Sequence, residues 1–457
     1  MTHHFDVVII GSGAGGGTMA RALADTGARI LVLERGEAVP READNWDAWA
    51  VWNRKKYRNK ELWIDDKGET FLPYTHYNVG GNSKFWGSVL YRLRREDFGD
   101  LQLMDGVSPA WPINYEDLAP FYDQAEALYH VHGSSDGDPT EPPRRPFPFA
   151  PIPHAPRMAA LVERMRGLGL HPSALPLGLI KPGEADGCIL CNTCNSFPCQ
   201  IHRKSDAEVC GVIPAQERGH VELWTGARAE RLVTNAAGTA VTAVDCVHHG
   251  EQKRVHGDTV IVSCGAVNSA ALLLKSANDK HPNGLANSSG LVGARYMAHL
   301  ATMMQSFHPF RVNHDVFQKT VALNDFYLPG PGRPYPLGQI QAQGRTHGVM
   351  VYTVAPIVPV ALCDAWVARG VDWLAMSEDL PSPNNRVMVD SQGRIVLKYQ
   401  PNNLRAHKQL VRETKRVMRQ LGFWVTMTYN HGNRNTTHQC GTLVFGTDPA
   451  QSVLDPY

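Results

Sequence analysis

Residues 5–34 leave little choice of architecture. Phe5-Asp-Val-Val-Ile-Ile10 is an unbroken apolar run, and Gly11-Ser-Gly-Ala-Gly-Gly16 is a glycine turn. Thr18–Asp25 has helical composition, and after Gly27 a second apolar run, Ala28-Arg-Ile-Leu-Val-Leu, ends on Glu34. Gly11, Gly13 and Gly16 fill G-x-G-x-x-G. The first permits a tight turn, the second lets backbone approach a diphosphate, and the third lets helix and strand pack closely. The start of the following helix offers unpaired N–H groups and the positive end of its dipole. Glu34 stands about 20 residues on, where a carboxylate meets a ribose hydroxyl. A strand before the turn, a helix after it and an acid at the end make this a dinucleotide site rather than a bare structural turn.

Charge and length narrow the classes further. Over 457 residues, 45 basic and 44 acidic side chains nearly cancel, which gives no electrostatic case for nucleic acid as a partner. At roughly 100–200 residues per domain, two or three domains are expected. No apolar run approaches the ~18 residues of a membrane span. Because the first strand begins by Phe5, no secretory leader is read, and a cytoplasmic location is the default. Nine cysteines, an odd number in a long chain, fit a reducing compartment better than a disulfide framework.

Further along, residues 38–77 read as an irregular excursion with short helices near Trp46–Ala50. Tyr77-Asn-Val-Gly-Gly-Asn-Ser-Lys-Phe-Trp-Gly87 reads as a loop whose backbone must approach something flat or charged. Asn114 and Asp117 form a near capping box ahead of a helix reaching Glu126. A Pro/Gly linker (132–156) precedes a helix over 157–168 stopped by Gly169. A helix is expected from Lys204 to about Ile213. A β meander is expected to begin at Val221–Gly226 and Arg231–Val233, to cross a hairpin at Gly250 and to end in the buried strand Asp258–Ser263, before a helix over 270–276. Residues 308–399 have strand character, including Gly348–Val354 and Ile395–Tyr399. Apolar positions 404, 410, 411, 417, 418 and 421 keep helical spacing up to Gly422.

Several separated motifs agree with one family. The glycine unit, Val79–Gly87, Trp111-Pro112 with its helix, Ser263–Ser269, His438-Gln-Cys-Gly-Thr442 and Asp448-Pro449 together resemble the glucose–methanol–choline (GMC) oxidoreductases over nearly the whole chain. The similarity is greatest to their pyranose-oxidase-like and bacterial sugar-dehydrogenase-like members. The resemblance implies an α/β fold, with a Rossmann-like FAD-binding domain (1–100, 205–300, 430–457) interleaved with an α+β substrate domain on an antiparallel sheet (101–204, 301–429). It places FAD over Gly11, Ser12, Gly13 and Gly16, with the ribose at Glu34 beside Arg35 and the adenine near Ala229. Gly80, Gly81, Asn82 and Ser83 would pass the isoalloxazine. Covalent members carry a His in that loop; Ser83-Lys84-Phe85-Trp86 has none, so non-covalent FAD is expected.

The resemblance also implies oxidation of a secondary alcohol, a sugar or glycoside hydroxyl, with His438 as general base. An imidazole with an ordinary pKa of about 6.5 suits that task. His299, in Met297-Ala-His299, matches a recurrent family position and is assigned no chemistry. The electron acceptor, and whether a homo-oligomer or a partner chain forms, stay open. In the family a further segment follows the position of Asp455-Pro456 and supplies a strand, flavin contacts and a second catalytic residue. With this chain ending at Tyr457, no second catalytic residue is named, and an impaired or partner-dependent FAD-binding homologue is the alternative reading.

Cys188, Cys191, Cys194 and Cys199 form a separate motif. The first three keep ferredoxin spacing, but the fourth falls one residue late and Pro198 precedes it. An iron–sulfur cluster, a zinc site, or a metal-free loop holding free thiols or one disulfide all remain open.

Overall fold

A computed structural model describes residues 3–430, 432–434 and 436–456. The strand His3–Ile10 lies inside a six-stranded sheet, with Ile30–Leu33 parallel on one side and Glu251–Val262 parallel on the other. Val8, Ile9 and Ile30–Leu33 are all buried. Both runs are continuously apolar because strands of a parallel sheet are covered on both faces. The helix Ala14–Leu23 packs across one face, and Ala266–Lys275 belongs to the core on the other. That second helix starts four residues before its expected position at 270.

Val221–Trp224 does not begin the meander, as its sequence suggested. It is an edge strand, parallel to Ile30–Leu33. The meander proper is Ala227–Thr234, Val241–His248 and Glu251–Val262. His249 (φ 47°) and Gly250 (φ 87°) are both left-handed, as the tight turn between twisted strands requires. The first half of Glu251–Val262 pairs with the meander and the second half with His3–Ile10, so one strand joins the two parts.

A second six-stranded sheet is wholly antiparallel: Val425–Asn430, Leu300–Phe307, Gly370–Ser377, Gln339–Ala342, Val321–Leu323, Pro172–Ala174. One face packs on the helices Pro156–Gly167 and Leu404–Gln420 through Ile340, Ala342, Trp373, Leu410 and Met418. Side chains alternate along a strand, so the opposite face is free to line a cavity. The expected capping box is present: Asn114 Oδ1 accepts from Asp117 N at 3.0 Å and Asp117 Oδ2 from Asn114 N at 2.9 Å, opening the helix Tyr115–Leu128.

Two expected elements differ. Gly348–Val354 is a helix rather than a strand. Its β-branched residues favour extended backbone, but Val349 and Met350 pack together with Val51 and Phe197, and tertiary packing overrides that preference. The helix expected at Lys204 begins only at Glu208. Lys204, Ser205 and Asp206 instead run through the interior, all buried. Among the described residues no helix is long and apolar enough to cross a membrane.

Candidate active site

The glycine turn is sterically determined. Gly11 has φ +97°, and a Cβ there would stand 2.5 Å from the Ser263 carbonyl oxygen. A Cβ on Gly16 would overlap the Gly11 carbonyl oxygen. Gly13, by contrast, has open space on its Cβ side, with only the Gly81 Cα at 4.0 Å. No side chain caps the helix Ala14–Leu23, which leaves its first amides for an anion. Glu34 holds the turn from behind. Its Oε2 accepts from Ser12 Oγ at 2.6 Å and Ser12 N at 3.1 Å, and its Oε1 from Gly36 N at 2.9 Å. Burial pushes the Glu34 carboxyl above its usual range, against the pull of these bonds. Arg35 stacks 3.7 Å from the Tyr77 ring centroid and pairs with Glu61. Ala229 is half-buried in the neighbouring meander strand, at a bulge.

Ser12 also connects the two glycine loops, because its Oγ accepts from Gly80 N at 3.1 Å. Gly80 (φ +85°) and Gly81 (φ +54°) turn the second loop, and Ser83 Oγ receives the Ala207 amide at 2.9 Å. Two buried lysines fasten this loop, and sequence reasoning missed both. Lys84 pairs with Glu208 and, at 3.1 Å, with Asp206. Lys204 Nζ donates to the carbonyls of Lys84, Trp86, Cys194 and Phe197 at 2.7–3.1 Å. Charged residues near a helical pattern ordinarily read as a solvated face, so only the tertiary fold reveals them.

Between the loops and the second sheet lies a cavity of about 1640 Å³. That exceeds the ~300–1,000 Å³ of a usual small-molecule site and leaves room for a cofactor beside a substrate. Ala14, Asn82, Ser83 and His438 reach its wall. The other residues singled out from the sequence, Gly11, Ser12, Gly13, Gly16, Glu34, Arg35, Gly80, Gly81 and Ala229, do not line it. His299, given no role from sequence, meets His438 there: their Nδ1 atoms are 2.9 Å apart, with rings nearly perpendicular at 83°. Both rings open onto the cavity. Both side chains stay exposed to that opening, and the protein crowded around them lowers both pKa values by partial desolvation. For His438 the pKa falls to about 4, with the positive charge of His299 and Lys319 adding to the effect. His438 makes no other hydrogen bond among the described residues.

The far wall is built by alternation. Along Gln339–Ala342, Ile340 and Ala342 point to the helix layer while Gln339, Gln341 and Gln343 line the cavity. Asn195 bonds Gln343 and accepts from Lys319 Nζ at 2.8 Å. Gln341 Oε1 is buried without a partner. The alternating Gln-x-Gln-x-Gln pattern was a visible strand signal, but nothing local told which face met a cavity.

Residues 8–301 match the GMC oxidoreductase family. The chain belongs to that family. Across 99% of its length it is 29% identical to paromamine 6'-oxidase of Streptomyces fradiae, covering 83% of that protein. It is 26% identical to the fructose dehydrogenase large subunit of Gluconobacter japonicus, again over 99% of this chain and 90% of that one. The structure superposes on pyridoxine 4-oxidase from Mesorbium loti with a TM-score of 0.64 at 16% identity, covering 99% of this chain and 91% of the other. A formate oxidase of Aspergillus oryzae, studied for its FAD modification, gives 0.65 at 16% identity over 99% and 91%. The fold is therefore that of an FAD-binding GMC oxidoreductase.

The four clustered cysteines of this oxidoreductase are free thiols. Cys188 and Cys194 are buried, and Cys191 and Cys199 half-buried. Burial pushes the Cys188 thiol up to about 12. Cys188 and Cys194 pack with Leu177, Leu179 and Phe317. Among the described residues no group of three or more His, Cys, Asp or Glu side chains is arranged to hold a metal. The loop contributes Asn195 and Ser196 to the cavity wall.

Proposed function

We propose that this chain oxidises a secondary hydroxyl of a sugar, glycoside or related polyol, with His438 as general base and FAD held without a covalent bond. The observation that carries the proposal is the His299–His438 pair, set in one cavity with the Gly80–Ser83 loop and the glutamine wall. The glycine cradle fits a dinucleotide. Gly11, Ser12, Gly13 and Gly16 would hold the diphosphate, Glu34, Arg35 and Ala229 the adenosine end, and Gly80, Gly81, Asn82 and Ser83 the ring system. When bound, FAD supplies the hydride acceptor. No histidine stands in Ser83–Trp86, which supports non-covalent binding.

The chain's own part is to bind and orient the alcohol and to remove its proton. Glutamine amides both donate and accept, which suits vicinal hydroxyls. With its pKa near 4, His438 is neutral at pH 7 and ready to accept a proton. If His438 donates its Nδ1–H to His299 Nδ1, its Nε2 lone pair is left for the substrate hydroxyl. His299 thereby holds the tautomer the chemistry needs. The relatives that act on paromamine and fructose support a carbohydrate substrate. The residue ranges 1–100, 205–300 and 430–457 would form the cofactor half, and 101–204 and 301–429 the substrate half.

The test is anaerobic mixing of the coloured protein with a panel of sugars and simple alcohols. Bleaching of the visible flavin band by polyols supports the assignment; a coloured protein that none of them bleaches refutes it.

A further inference from the structure

Among the described residues three lysines are fully buried, and two of them are well partnered. Lys84 has two carboxylates and Lys204 four carbonyls. The third, Lys319, is 1% exposed yet lines the cavity. It stands just before the strand Val321–Leu323 of the second sheet, and its Nζ presses on Gly87, where a Cβ would overlap it. That Nζ donates to Asn195 Oδ1 at 2.8 Å and has no other hydrogen bond and no carboxylate partner among the described residues. An ammonium carries three donors, so most of its capacity is unused.

None of the carboxylates that line the cavity pairs with Lys319 among the described residues. Asp97 receives the Arg94 amide and the Tyr327 hydroxyl, Glu378 the Ser108 hydroxyl, and Asp379 the Tyr399 hydroxyl. A buried charge without a partner is costly. Burial accordingly drives the Lys319 pKa down to about 7, with Cys194 opposing and Lys204 adding to the fall. The charge of Lys319 also contributes to the lowered pKa of His438, and both side chains line the same cavity.

We propose that Lys319 is the specificity residue of the site and receives the carboxylate of a sugar acid, so that the substrate class is a polyhydroxy acid rather than an amino sugar. The assignment rests on the alcohol-oxidation reading above and adds a charge requirement to it. A carboxylate supplies the missing acceptors and the missing charge together. A phosphate would call for more donors than one lysine beside amides already engaged with each other. An ammonium group at the same place would meet like charge.

The test compares D-glucuronate with its isosteric amide, D-glucuronamide, titrated into the flavin-loaded protein and followed by the flavin difference spectrum. The carboxylate should bind about 10–100-fold more tightly, the range of one hydrogen bond to a charged group. Lys319→Met should reduce that ratio to near one, while Lys319→Arg should keep part of it. Equal binding of acid and amide by the wild-type protein overturns the proposal, and so does a preference that survives in Lys319→Met. The wild-type comparison decides the matter even where a variant fails to fold. Failure of every alcohol to bleach the flavin would sink the oxidation reading itself. Bleaching by neutral sugars without a preference for the acid would sink the role of Lys319 alone.

Discussion

Replacing Lys204 by Met removes an ammonium that ties together two segments of the cavity wall. The carbonyls of Lys84 and Trp86 come from the glycine loop, and those of Cys194 and Phe197 from the cysteine-rich loop, all at 2.7–3.1 Å from Nζ. Each hydrogen bond to a charged donor contributes about 1.5–3 kcal/mol, and three ammonium protons shared among the four carbonyls give a bare sum of roughly 4.5–9 kcal/mol. Against this stands the cost of keeping an ammonium out of water without an anion, several kcal/mol in a folded protein. Methionine retains most of the stem packing but leaves buried carbonyls unpaired. The net expectation is a loss of about 3–5 kcal/mol, comparable to breaking a buried ion pair. Because both segments border the cavity, the loss should be local first. Hydrogen exchange should accelerate in residues 84–86 and 194–197 before the parallel sheet is affected, and the purified variant should carry less flavin. Wild-type exchange in both segments, with full flavin content, would show that the four bonds do not hold the wall.

Other perturbations read separate parts of the account. Gly16→Ala drives a methyl into the Gly11 carbonyl oxygen, so the turn must move; FAD affinity measured by fluorescence titration should weaken at least about tenfold, at a strain of ~1–3 kcal/mol. Gln341→Leu removes an unpaired buried acceptor. It should leave Tm unchanged or raised while increasing KM for a polyol about tenfold, and an unchanged KM would take Gln341 out of substrate binding. The pH profile of kcat/KM tests the histidine pair. Desolvation by the surrounding protein, with the charges of His299 and Lys319, lowers the His438 pKa from 6.5 to about 4, so the base stays neutral, and active, as pH falls past 6.5. It is lost only towards the lower value. The acid limb should therefore lie below 6.5 and belong to the His299–His438 pair jointly; a limb at or above 6.5 would contradict the geometry.

Local and tertiary signals account for what could be read before the structure. The unit from Phe5 to Glu34 was legible because its turn, helix start and strand pattern are properties of adjacent residues. The Asn114 capping box and the helix at Leu404 are local in the same sense. His438 was legible only through its motif. Its partner His299 stands far away in sequence, and no spacing rule connects them. Gly348–Val354 misled because β-branched residues mark strands until packing against Val51 and Phe197 decides otherwise. Lys84, Lys204 and Lys319 looked alike as lysines in mixed sequence. What separates two tethers from one unsatisfied cation is which carbonyls and carboxylates the fold brings to each, and that is a tertiary fact.

The claim at the centre is that His438 takes the alcohol proton as hydride leaves. It is tested most directly by the anaerobic bleaching rate of the flavin in the wild-type protein and in His438→Ala, both saturated with FAD and with a reactive sugar. Loss of a general base predicts a fall of about 10²–10⁴-fold with flavin binding retained. A variant that bleaches at the wild-type rate would contradict the account.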